Sequence, residues 1–146
     1  MRLANRYLVY LVVGLSPVPL AGCGGGSAPK NDAEAKDSSS LNELGEAYRS
    51  YMIAKKKPPQ KISDLLAAEA IGGNGVALAK TGNIVVQWGA VLPDTNEEPG
   101  GTPSPEILAY GKNVPEEGGY VLLLDRTVKR MTADEFKAAP KAGGGK

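Results

Sequence analysis

Apolar positions change their spacing several times along this chain, and each change predicts a new element. Residues 7–15, Tyr-Leu-Val-Tyr-Leu-Val-Val-Gly-Leu, are a short continuous apolar run behind Arg2 and Arg6 and ahead of Pro17 and Pro19. Spanning a bilayer takes about 20 apolar residues, so this run is short for a transmembrane helix. A basic start, an apolar middle and a small-residue end have the order of a secretory signal peptide. Residues 24–40 are chiefly Gly, Ser, Ala, Lys, Asp and Asn, the composition of a flexible tether. From Leu41 the period turns helical. Leu41, Leu44, Tyr48, Tyr51 and Met52 recur on one face, with Glu43, Glu46 and Arg49 on the other. Ser40-Leu41-Asn42-Glu43 has the form of a capping box and predicts a helix start at Ser40. Lys55-Lys56-Lys57 complements the negative end of that helix, and Pro58-Pro59 stops it.

A short second helix is predicted with Ser63 as N-cap and Leu65, Leu66 and Ala70 facing inward, stopped by Gly72-Gly73. Gly72-Gly73-Asn74-Gly75 lacks the Lys-Ser/Thr of a phosphate loop and follows no strand, so it reads as a turn. Beyond it the pattern becomes that of strands. Asn83 to Leu92 is β-rich, with Ile84, Val86 and Trp88 on one face. A long loop from Pro93 to Pro105 leads to a short strand over Glu106 to Gly111 and a turn over Val114 to Gly119. Tyr120 to Leu124 is apolar on both faces and predicts a central strand. Thr127 to Met131 carries Lys129 and Arg130 and predicts an edge. Thr132-Ala133-Asp134-Glu135 is a second capping box, with Met131 and Phe136 placed as a hydrophobic staple.

The fold class is therefore α+β: a long N-terminal helix, a short second helix, a three- to four-stranded antiparallel sheet and a short C-terminal helix. The expected organisation is a removable signal over 1–22, a tether over 23–40, one small domain over 41–139 and a disordered tail over 140–146.

Charge narrows the partners. The chain holds 17 Lys and Arg against 16 Asp and Glu. Removing residues 1–22 takes Arg2 and Arg6 away and leaves a near-neutral mature chain, without the clustered basic surface that nucleic acid requires. There is no histidine, which removes Ser-His and Cys-His catalysis and the usual zinc ligands. Cys23 is the only cysteine, so no intrachain disulfide forms. The loop carboxylates Asp94, Glu97 and Glu98 do not match EF-hand spacing. Glu116-Glu117 and Asp134-Glu135 are adjacent pairs, which do not converge on one substrate. Trp88 and Tyr110 fall in strands and read as core. The chain is accordingly expected to be no enzyme, with no catalytic, cofactor or metal site.

The remaining chemistry is at Leu20-Ala21-Gly22-Cys23. This stretch resembles the lipobox of bacterial lipoproteins. The resemblance implies recognition of Leu20, Ala21 and Gly22 by the signal peptidase, a lipid (palmitate among its acyl chains) on the Cys23 thiol, and cleavage just before Cys23. Two or more acyl chains anchor a protein stably. The implied place is the cell envelope, membrane-anchored with the domain on the extracytoplasmic, periplasmic side. Gly24 rather than Asp after Cys23 favours the outer membrane if the cell has one.

The domain itself resembles the periplasmic part of type IV pilins and type II secretion pseudopilins. The residues that carry this are the long helix, the Pro58-Pro59 break, Ile62-Ser63-Asp64-Leu65, and Asp125-Arg126-Thr127-Val128 before the last helix start. Two features depart from that family. Arg126 stands where glycine would favour the hairpin turn, and the prepilin cleavage signature is absent. The resemblance implies a non-catalytic structural or interaction module with an envelope protein partner, held singly by its lipid. The alternative is an envelope ligand-binding domain, taking a metal at Asp94, Glu97 and Glu98 or a saccharide at Trp88 and Tyr110.

Overall fold

The computed structural model describes residues 32–143. Its four strands are β1 (Ile84–Val86), β2 (Ile107–Gly111), β3 (Gly119–Leu123) and β4 (Val128–Met131). They form one antiparallel meander in the order β1-β2-β3-β4. As the sequence predicts, β3 is central and β4 is an edge; Val121 and Leu122 are fully buried on opposite faces of the sheet. A bulge in β2 between Ile107 and Ala109 shifts the alternation. Leu108 and Ala109 thereby both join the larger core, while Ile107 joins the smaller one.

The larger core lies between the sheet and two helices, α1 (Asp32–Lys55) and α3 (Glu69–Lys80). It includes Leu41, Leu44, Tyr48, Leu65, Val76, Ile84 and Val86. The smaller core, on the other face, gathers Ile107, Val114, Val121, Leu123, Met131 and Phe136 beneath α5 (Ala133–Ala138). The C-terminal capping box forms as predicted. The Thr132 N–H donates to Glu135 Oε2 at 2.7 Å, and the Glu135 N–H donates to Thr132 Oγ1 at 3.2 Å.

The helical part differs from the sequence reading in three ways. First, α1 does not start at Ser40. It already runs through residues 32–40, which composition assigned to the tether. Ser40 is buried, and its hydroxyl donates to the Lys36 carbonyl one turn back at 2.8 Å. No Gly or Pro interrupts residues 30–40. Tertiary contacts hold the extension: Arg130 pairs with Glu34 at 3.1 Å, and the Asn74 side chain donates to Ser40 Oγ at 2.9 Å. Second, the short helix α2 (Ile62–Leu65) is preceded by an extended Lys61, with no side-chain cap from Ser63. Asp64 instead accepts from the Gln60 N–H at 2.8 Å. Leu66, expected inside, sits partly exposed in a 3₁₀ turn, Leu66–Ala68.

Third, Gly72-Gly73 does not end the helical region. Gly73 (φ 43°, ψ −124°) kinks α3, which then continues to Lys80. The Glu43 carboxylate, which would have closed the capping box at Ser40, reaches across to this kink. It accepts from the N–H groups of Asn74 (2.9 Å) and Gly75 (3.3 Å). An anionic oxygen on free N–H groups at a helix start satisfies donors that have no partner within the helix. Gly75 then packs directly on α1. A Cβ there would lie 2.1 Å from the Ser40 carbonyl oxygen.

Two connections also depart from expectation. β1 ends at Val86 rather than continuing to Leu92, because the chain leaves the sheet after Gln87 and Gly89 donates to the Pro59 carbonyl at 2.9 Å. The predicted turn after β2 contains a single helical turn, α4 (Val114–Glu117), opened by proline and closed at Gly118 (φ 73°). The early end of β1 leaves an open place beside Ile107, and the C-terminal segment fills it. The Ile107 N–H donates to the Pro140 carbonyl at 2.8 Å, and the Ala142 N–H donates to the Ile107 carbonyl at 2.9 Å. Ala142 is 1% exposed. Residues 140–142, expected to be disordered, are thus part of the fold. Lys141 caps α5: its ammonium donates to the carbonyls of Phe136 and Ala139 and lies 4.0 Å over the Phe136 ring.

Candidate functional site

Leu20, Ala21, Gly22 and Cys23 lie outside the described residues. The described residues begin at Asp32, nine residues after Cys23. Among the described residues, no helix is long and apolar enough to cross a membrane.

The most developed polar site is the clamp around Arg126. Residues Leu124–Arg126 join β3 to β4, with Arg126 N–H on the Leu123 carbonyl (3.0 Å) and Leu123 N–H on the Thr127 carbonyl (2.8 Å). This is a three-residue hairpin loop, whose last position needs a left-handed backbone. Arg126 supplies it at φ 67°, a conformation that favours glycine. Its guanidinium explains the exception. The side chain is only 2% exposed and pairs with Glu46 of α1 at 2.6 Å. It also donates to the carbonyls of Asn96 and Glu98 (the latter at 3.1 Å) and stands 4.0 Å from the Asp94 carboxylate.

The neighbouring Asp125 fastens the same loop from the other side. It accepts from Ser104 N–H (3.1 Å), Thr127 N–H (3.0 Å) and the Thr127 hydroxyl (2.7 Å). Arg49 adds a bond from Nε to the Thr95 carbonyl at 2.9 Å. A hydrogen bond from the Thr102 side chain holds the Asp94 carboxyl below the usual carboxylate range, with smaller help from backbone N–H groups and Arg126. The loop from Pro93 to Pro105 is therefore tied to α1 and the hairpin by charged bonds. Its inward oxygens are occupied by a guanidinium. Among the described residues, no group of three or more His, Cys, Asp or Glu side chains is placed to hold a metal ion. The sequence signal for this clamp was the arginine at a position that prefers glycine.

The other singled-out residues are scattered. Glu116, Glu117 and Asp134 are exposed, and Glu135 serves the α5 cap, which lowers its carboxyl below the ordinary range through bonds from Thr132. Trp88 packs against the larger core, whereas Tyr110 meets Phe136 edge-on at 4.6 Å in the smaller one. The two aromatics thus stand on opposite sides of the sheet and do not make one saccharide platform. Tyr48 is a fully buried titratable group of the larger core. Its hydroxyl donates to the Ala90 carbonyl at 2.8 Å, and burial pushes its pKa up.

An open cleft of about 370 Å³ lies between the first turns of α1, the start of β1 and α4. Asp37, Leu41, Asn83, Lys112, Glu117 and Tyr120 are among its lining residues. It brings one ammonium and two carboxylates to the lining. Compared with protein-family models, curated proteins and solved structures, the chain finds no match.

Proposed function

We propose that this chain is a bacterial lipoprotein, held in the cell envelope by acyl chains on Cys23. The domain then acts as a non-catalytic structural or interaction module. The observation that carries the reading is Leu20-Ala21-Gly22-Cys23 at the end of a short apolar run with Arg2 and Arg6 before it. The lack of histidine supports the non-catalytic part, and the near-neutral mature composition speaks against a nucleic-acid partner. The order of helix, Pro58-Pro59, short helix and antiparallel strands supports a pseudopilin-like module, with the long N-terminal helix in the role of the pilin helix. In this reading the lipid stands where a pilin has its membrane-spanning segment, so each copy is tethered singly and finds an envelope protein partner with its domain.

Intact mass of the protein from membranes tests this. The expected product begins at Cys23 and carries diacylglyceryl and acyl mass, and Cys23→Ala leaves the signal uncleaved and the lipid absent. A mature protein that begins elsewhere, or a Cys23 with a free thiol, overturns the proposal.

A further inference from the structure

Lys55, Lys56, Lys57 and Lys61 fall within one seven-residue stretch at the C-terminal end of α1. All four are exposed, and none has an ion-pair partner among the described residues. The turn that presents them is fixed. Lys56 takes a left-handed backbone (φ 56°), and the Pro59 carbonyl accepts from Gly89. Exposed apolar side chains lie beside it. Ile53 (40% exposed) is one turn past Arg49, whose side chain holds the Thr95 carbonyl. Val91 (62% exposed) follows Ala90, the residue bonded to Tyr48. Lysines around exposed aliphatic side chains are the composition of a surface that sits at a lipid interface. No other seven-residue stretch of the described residues holds four lysines. The opposite end of α1 carries Glu34 and Asp37 with Lys36 between them, and Glu34 is paired with Arg130.

We propose that this lysine pole docks on the anionic phospholipid headgroups of the same membrane that holds the Cys23 lipid, which deepens the anchored reading and rests on it. The reach suffices. The 24 residues of α1 span about 36 Å, and the nine residues from Cys23 to Asp32 extend to at most about 30 Å. A leaning domain therefore brings the lysines to the surface. An upright one holds them about 36 Å above Asp32, several Debye lengths out at physiological salt. The lysines favour leaning, since it brings four positive charges within a Debye length of the anionic surface. Each lysine at such a surface contributes about a fivefold factor, so removing three lowers the docked-to-free ratio roughly a hundredfold.

The test uses the full lipidated protein reconstituted in vesicles that carry a headgroup quencher. Trp88, the only tryptophan, adjoins the Gly89 that is bonded to Pro59 and serves as reporter. Quenching is expected in vesicles containing phosphatidylglycerol and not in pure phosphatidylcholine. It is expected to vanish in the Lys55→Gln/Lys57→Gln/Lys61→Gln variant, and for the wild type in about 1 M salt, where the Debye length is about 3 Å. Equal quenching in both lipids, or quenching that survives the triple substitution, overturns the docking. Flotation on pure phosphatidylcholine vesicles reports the anchor by itself, so its loss overturns the anchored reading instead.

Discussion

Gly75→Ala should destabilise this domain although it places a better helix former in a helix. The substitution gains about 1 kcal/mol of intrinsic propensity. Against that, the added Cβ would lie 2.1 Å from the Ser40 carbonyl oxygen, 2.8 Å from the Leu44 nitrogen and 3.1 Å from Leu44 Cβ. Two of these three atoms are backbone of α1, so no rotamer change relieves them. α1 and α3 must separate, which opens the packing of Leu44 and Val76 and stretches the bonds from Asn74 and Gly75 to Glu43. Forcing an extra carbon into a packed interior costs about 1–3 kcal/mol, and backbone contact puts this case at the upper end. The net effect is a loss of about 2 kcal/mol, or a fall in Tm of roughly 8 °C for a domain of this size. Thermal unfolding followed by circular dichroism reads it directly. Gly82→Ala is the control. It has a left-handed backbone (φ 75°) but no atom within 4 Å of the new Cβ, so it loses only about 1 kcal/mol through backbone strain. A Gly75→Ala protein that melts at or above the wild-type temperature, or above Gly82→Ala, refutes the close approach of the two helices.

Three further outcomes are expected. Arg126→Gly and Arg126→Ala both release the 93–105 loop, but glycine relieves the left-handed strain and alanine does not; urea unfolding should find the alanine variant less stable by about 1 kcal/mol, and equal stabilities would contradict the strain. Tyr48 is held neutral by burial, so its contribution is full below the unfolded-state value of about 10 and is lost as pH rises through that value toward the raised folded one. Tyr48→Phe should lose roughly 1 kcal/mol at neutral pH with the Ala90 bond, yet show a smaller alkaline loss in melting temperature than the wild type. Asp94 and Glu135 have depressed carboxyls, so their contributions are present above about pH 4 and are lost as pH falls through the lower folded values; Asp94→Asn should flatten the acid limb of the stability profile, and an unchanged limb would refute its role.

The antiparallel strands, the α5 cap, and the central place of β3 and edge place of β4 were legible because local patterning decides them. The doubly apolar Tyr120–Leu124 run has one place in a small sheet, and Thr132 with Glu135 closes its box within four residues. What was misread shares a cause. Ser40 with Glu43 reads locally as a capping box, Gly72-Gly73 as a stop and residues 140–142 as a free tail, and in each case a distant partner prevails. Glu43 serves α3 instead of Ser40, and Ile107 recruits the C-terminal segment. The Arg126 clamp was visible only as an anomaly, because its partners Glu46, Asn96 and Glu98 are 28 to 80 positions away.

By itself the sequence determined the α+β class, the antiparallel sheet and the central place of β3, since these rest on periodicity and on contiguous residues. Only the tertiary structure decided where α1 begins, that α3 continues past its kink, and that Arg126 takes a glycine position. It also decided that four lysines at one pole have no ion-pair partner among the described residues. Each of these depends on a group finding its partner, or finding none, across the fold, and free energy of that kind has no period along the chain.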